Sequence, residues 1–115
     1  MAEATRRGEG DPSARSGCEE CEAEGGWWFH LRRCTDCGHI GCCDSSPGQH
    51  ARAHAREAGH PRICSYEPGE DWCWSFETGD YVEVPREIAA LHHPQSQAVP
   101  GPRERVPSDW MAQLN

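Results

Sequence analysis

The chain contains no lysine, so all eleven basic residues are arginine, and nineteen acids outweigh them for a formal charge of −8. Binding a nucleic acid requires a basic face that displaces counterions, and the only arginine groupings are Arg6-Arg7, Arg32-Arg33, Arg52/Arg56 and Arg103/Arg105. A nucleic-acid partner is therefore not expected, and these arginines read as solvated surface. Long apolar runs are missing too. The first residues pass through Arg6-Arg7 into polar sequence without a signal-peptide stretch, and no later run could span a bilayer, so no membrane contact and a cytoplasmic setting are expected. Hydrophobic residues make up only 36% of the chain, while twelve Gly and nine Pro resist regular structure. A thin apolar core follows, and a short chain with a thin core needs a disulfide or metal staple. No Ser/His/Asp arrangement, phosphate loop or acid pair stands out, so catalysis is not expected.

What the chain does have is eight Cys and seven His in 115 residues. Reducing conditions keep thiols unpaired, so closely spaced Cys pairs point to a metal and not to a disulfide framework. All eight Cys, five His and four of the five Trp fall between Cys18 and about Pro85. Residues 17–85 therefore read as one folded domain. Residues 1–16 carry Gly, Pro and mixed charge without apolar periodicity and read as a disordered lead. Residues 86–115 read as a Pro-rich tail, otherwise a linker, with a helix-capable stretch at residues 86–91 that could pack back onto the domain and an apolar end at 108–115, capped by Ser108, that reads as a short docking motif or a frayed end.

The fold class expected is α+β: a short antiparallel sheet and one main helix. Strands are predicted over residues 27–33, 39–41, 62–66, 72–76 and 81–84, the last two joined by a hairpin turn through Gly79-Asp80. The helix is predicted over about residues 46–58. Ser46 suits the N-cap, Pro47 the first turn, and Gln49 completes a capping box, while Gly59 and Pro61 end the helix.

Two Cys-x-x-Cys pairs, Cys18/Cys21 and Cys34/Cys37, precede Cys42, Cys43, His50, His54 and His60. Zinc takes four tetrahedral thiolate and imidazole ligands, and each Cys-x-x-Cys turn presents two sulfurs to one ion, so two pairs imply two ions. Cys42 or Cys43 and the three His then complete the sets with one candidate left over. His50 and His54 lie four apart on a helix and point the same way, which suits one shared ion or two adjacent ones. His39 is read as shaping the turn and not as a ligand. His30, His92 and His93 are read as ordinary polar residues.

In these residues the chain resembles the UBP-type zinc finger of ubiquitin-specific proteases and related proteins. The resemblance covers about residues 18–84 and rests on Cys18-Glu-Glu-Cys21, on Cys34-Thr-Asp-Cys37-Gly38-His39-Ile40-Gly41-Cys42, and on His50, His54 and Gly59-His60-Pro61. The arginine-rich, lysine-free makeup suggests a bacterial-like, stand-alone member. The resemblance implies Cys18, Cys21, Cys42 and His50 at one zinc and Cys34, Cys37, His54 and His60 at the other. Cys43 stands where the family usually has Gly and reads as a spare thiol, as do Cys64 and Cys73, for which no partner is evident. It also implies a peptide-binding role with Trp72, Trp74 and Tyr81 as aromatic walls, and Trp28 as a further candidate. Cys42-Cys43-Asp44 replaces the family's frequent Cys-Gly-Arg, so capture of a free ubiquitin tail is not expected unless Arg62 or another Arg reaches in. The partner expected is a peptide or protein tail, carrying Arg or Lys or ending in Gly-Gly, bound by a monomer. The alternative is a redox- or zinc-responsive protein using Cys43, Cys64 and Cys73.

Overall fold

The computed structural model describes residues 17–115. The lead over residues 1–16, read from the sequence as disordered, lies outside the described residues. Helix α1 (Glu19–Glu24) opens the fold, followed by strands β1 (Leu31–Cys34) and β2 (Ile40–Cys42), helix α2 (His50–Ala58), strands β3 (Arg62–Ser65), β4 (Cys73–Ser75) and β5 (Asp80–Val82), and the short helix α3 (Arg86–Ala89). Two 3-10 turns, Arg103–Arg105 and Trp110–Gln113, come last. The five strands form one antiparallel sheet in the order β2-β1-β3-β4-β5. No helix among the described residues is long and apolar enough to cross a membrane.

Side chains alternate across a strand, so register decides which residues share a face. Ile63, Trp74 and Tyr81 stand abreast on one face, and Arg32, opposite Ser65, joins them. Arg33, Cys64, Cys73 and Val82 share the other. Helix α2 lies over the β1–β2 end. Its close approach depends on Gly41, where a Cβ would come within 2.8 Å of the Ala51 backbone.

The α+β class and the antiparallel sheet are as expected, but element boundaries moved. Helix α2 begins at His50, and the Ser46 capping box does not form. Gln49 sits in the left-handed region at φ 50° and makes no side-chain cap, while the Ser46 hydroxyl instead accepts the Phe29 amide at 2.8 Å. The His50 amide donates to Cys42 Sγ at 3.3 Å, so a sulfur takes the place of the predicted cap. The far end is as predicted, with Gly59 at φ 71° and its amide on the Ala55 carbonyl. The first strand is shorter than the predicted 27–33, because Trp28 leaves the sheet to pair with Gly101. Helix α1 was not predicted. Cys18 caps it by accepting the Cys21 amide on sulfur, and Glu19, Glu20 and Glu22 suit the positive end of its dipole.

The tail is not a free linker. His93 donates its amide to Tyr66, Trp28 and Gly101 exchange two backbone hydrogen bonds, and Arg105 reaches the Gly26 carbonyl at 2.7 Å and Glu22 at 3.0 Å. One of these ties pairs a carboxylate with an imidazole. His93, read from the sequence as an ordinary polar residue, is 3% exposed, and its Nε2 lies 2.9 Å from Glu67 Oε1. Its Nδ1 meets the Pro94 carbonyl at 2.8 Å, so both ring nitrogens face acceptors and the ring is held as imidazolium. Glu67 also accepts the Leu31 amide at 2.8 Å, joining tail, loop and sheet.

Burial alone would push Glu67 up, but His93 and the Leu31 amide outweigh it and hold the carboxyl below its ordinary value. Burial would likewise push His93 down, yet the Glu67 carboxylate raises it. The carboxylate's contribution is lost as pH falls through its depressed value. The imidazolium's is complete below about 6.5 and is lost as pH rises through the raised value. On the alkaline side the zinc ligands stay deprotonated, so the effect of His93 can be read there. Replacing His93 with Gln should cost about 3 kcal/mol near pH 6, the range for leaving one partner of a buried pair unpaired. Thermal melts of the zinc-loaded protein should show that difference shrinking as pH is raised to about 9.

Candidate functional site

Two groups of Cys and His converge from separate elements. Cys18 and Cys21 frame the start of α1, Cys42 ends β2, and His50 begins α2. Cys34 ends β1, Cys37 follows in its turn, His54 lies one helical turn beyond His50, and His60 follows Gly59. Within each group the four ligand atoms all lie within 4.8 Å of one another. Zn–S bonds of about 2.3 Å and Zn–N bonds of about 2.0 Å give tetrahedral edges of roughly 3.8 Å between sulfurs and roughly 3.5 Å from sulfur to nitrogen. In the first group His50 Nδ1 lies 3.3, 3.4 and 3.5 Å from Cys18, Cys21 and Cys42 Sγ, and Cys21 and Cys42 Sγ are 4.0 Å apart. In the second, Cys34 Sγ is 3.5 Å from His60 Nδ1 and Cys37 Sγ is 3.3 Å from His54 Nε2. Both sets fit one zinc ion each.

The charges explain why a cation belongs there. Hydrogen bonds from Cys18 and Cys21, with the His50 amide, hold the Cys42 thiol down at about 2. Its neighbours cannot follow. Contact with Cys18 and then Cys42 raises Cys21, while in Cys18 the lowering effect of Cys21 is overcome by Cys42 and burial, to about 12. Adjacent buried anions repel, so the three thiols resist ionising together. A divalent ion permits all three. In the second group burial, then His39 and His60, lower His54 and keep its ring neutral, as a ligand must be. His39 is not a ligand. Its Nε2 contacts Glu20 at 2.7 Å and its ring stacks on His54 at 3.9 Å, so it orients a ligand of the second group from beside the first.

The ligand set and the spacing agree with a known pattern, and residues 18–87 match the family described as Zn-finger in ubiquitin-hydrolases and other protein. The chain belongs to this UBP-type zinc-finger family. Among solved structures it is similar to the solution NMR structure of protein RPA1320 from Rhodopseudomonas palustris, at 40% identity and a TM-score of 0.57, covering 73% of this chain and 78% of that one. No curated protein matches it.

The zinc finger's remaining Cys divide. Cys64 and Cys73, expected to be spare thiols, are bonded to each other as a disulfide across β3 and β4. Register makes them direct neighbours, a proximity that nine residues of sequence separation do not reveal. Two of the three cysteines named for the redox alternative are thus paired with each other. Cys43 points away from the zinc ligands, with Sγ 3.4 Å from the Ser46 hydroxyl. Burial would raise it, but His30, Ser46 and Arg32 bring its thiol down to about 7.

Cys43 lines a cavity of about 220 Å³ that also holds Trp72, Trp74 and Tyr81. The three predicted aromatics are thus brought together: Tyr81 meets Trp72 edge-on at 5.9 Å and Trp74 at 5.1 Å. Trp28 is not among them, being 3% exposed in the core against Leu31 and Cys21. Sequence reasoning missed His30, Arg32 and Phe76, which share this cavity. Arg32 lies 4.6 Å above the Trp72 ring. His30 and Arg32 are two apart on an extended segment and hence on one side, but only strand order sets that side beside Trp74.

Replacing Cys42 with Ser should remove one zinc and much of the fold, whereas Cys43→Ser should keep both ions, as counted by native mass spectrometry. The two sites should also empty in order. The first has three buried thiols while Cys37 of the second is exposed, so graded chelation should remove the second ion first, read as two steps in metal release.

Proposed function

We propose that this zinc finger is a peptide-binding module, not an enzyme, and that it captures the end of an extended chain between Trp72, Trp74 and Tyr81. The observation that carries this reading is the single cavity those three side chains line, with Arg32 and His30 set into the same wall. Each zinc has four protein ligands and so no open position to activate water, which favours binding over hydrolysis. Flat aromatic walls suit a narrow, glycine-rich segment. A terminal carboxylate at its end would meet the Arg32 guanidinium.

Asp44 argued against such a terminus, but its carboxylate is gripped by Arg52 in a two-pronged ion pair that offsets its charge. Arg62, considered as a substitute cation, sits by Asp36 at 3.8 Å, and Arg32 fills that role. Beyond the wall formed by Trp72 and Tyr81 lies a second cavity of about 720 Å³ bordered by Glu70, Asp71 and Glu83, which outnumber the one arginine on its rim, Arg86, beside His92. Basic residues upstream of the captured end would pass over this acidic ground, gaining ion-pair and cation-π contacts. The favoured ligand is therefore a peptide with an Arg or Lys followed by a Gly-Gly terminus.

Titrating a synthetic peptide ending in Arg-Gly-Gly with a free carboxylate, followed by tryptophan fluorescence, should show saturable binding. Trp74→Ala should weaken it by about tenfold or more, as for an aromatic anchor, and Arg32→Gln should weaken the free acid while leaving a C-terminally amidated peptide little changed. Absence of any response from the zinc-loaded protein would overturn the proposal.

A further inference from the structure

Four of the cavity's wall residues, His30, Cys43, Asp44 and Ser45, belong to two short irregular segments with no strand or helix of their own. Irregular backbone is held only by what bonds it. Besides the Cys43 amide on the His30 carbonyl and the Gln49 side chain on Asp44, residues near 110–115 do so here. Asn115 donates its amide to the Ser45 carbonyl at 2.9 Å, and its side-chain amide donates to the carbonyls of Ser46 at 2.7 Å and Asp44 at 3.3 Å. Three consecutive carbonyls, those of the wall residues Asp44 and Ser45 and of the buried Ser46 behind them, are thus tied to one residue. A few residues earlier, Trp110 packs on Phe29 at 5.4 Å, and Phe29 stacks on His30 at 3.8 Å. The Phe29 amide in turn donates to Ser46, so both wall segments are joined beneath the tail.

We propose that residues 107–115 form an intramolecular clamp that holds the His30 and 43–46 wall in its binding geometry, with Trp110 and Asn115 as positioning residues for the peptide. This rests on the reading of the cavity given above. Neither Trp110 nor Asn115 lines the cavity, so the segment braces the wall from outside and does not plug it. The tail's path supports the assignment: Gly101 against Trp28 and Arg105 against Gly26 lead the chain along residues 26–30 before it reaches the wall. Without the clamp the Ser45 and Ser46 carbonyls would turn to water while Gln49 alone keeps its 3.0 Å hydrogen bond to the Asp44 carbonyl, and a peptide would bear the cost of ordering the loosened wall on binding.

The test uses the full chain, loaded with zinc, carrying Trp110→Ala, Trp110→Phe or Asn115→Ala, with metal content checked by native mass spectrometry. Hydrogen exchange at residues 43–46 should quicken by about tenfold in Trp110→Ala and Asn115→Ala, the scale of one or two lost hydrogen bonds, and return towards the parent rate in Trp110→Phe. Affinity for the Arg-Gly-Gly peptide should fall about fivefold to tenfold in the same two variants, while both zinc ions stay bound. Unchanged exchange at residues 43–46, or a peptide affinity that holds or improves when the clamp is weakened, would overturn the clamp. A parent chain that binds no peptide would instead overturn the reading of the cavity, and exchange alone would then decide whether the wall is clamped.

Discussion

The crowding of Cys18, Cys21 and Cys42 around His50 is the constraint from which the rest follows. Three sulfurs lie within reach of one imidazole nitrogen in a buried place where neighbouring thiolates repel one another. Only a divalent cation lets all three act as anions together. Zinc binding of this kind supplies folding free energy on the order of 10 kcal/mol per site in small finger peptides. That scale outweighs what a thin core can offer. The core itself is built around the ligands: Leu31, Ile40 and Trp28 pack directly against Cys18, Cys21 and Cys42.

Metal geometry also displaces ordinary local rules. Ser46, Pro47 and Gln49 form a plausible helix start by sequence, yet α2 begins at His50, where the ligand and the Cys42 sulfur meet. Ser46 is then free to support the Phe29 segment, and the same loop becomes a wall of the aromatic cavity. One shift of a helix start thus links the metal site to the binding site. The second zinc group does similar work at the other end of α2, where His54 and His60 meet Cys34 and Cys37, with His39 stacked between the two groups.

Away from the metals, the chain uses polar ties in place of apolar bulk. The Glu67–His93 pair joins tail to sheet, the Cys64–Cys73 disulfide joins β3 to β4, and Arg105 anchors the chain beside α1. Each fixes a segment that buries little. The outcome is a domain whose outer layer, from residue 93 onward, continues the body instead of trailing from it. The aromatic cavity lies between the sheet and this supported loop.

Much of the metal chemistry was legible in the residues alone, because ligand identity and local spacing are properties of short segments. Cys18/Cys21, Cys34/Cys37 and the His50/His54 pair each present two ligands through one turn of backbone, whatever the remainder does. Trp72, Trp74 and Tyr81 were named through the family resemblance, and the β4–β5 hairpin then brings them together. Tertiary structure alone decided the long-range pairings. It bonded Cys64 to Cys73, buried His93 on Glu67, placed Arg32 over Trp72 and brought Asn115 to the cavity wall. These depend on strand register and on the path of the chain between elements, and neither is encoded by the residues that finally touch.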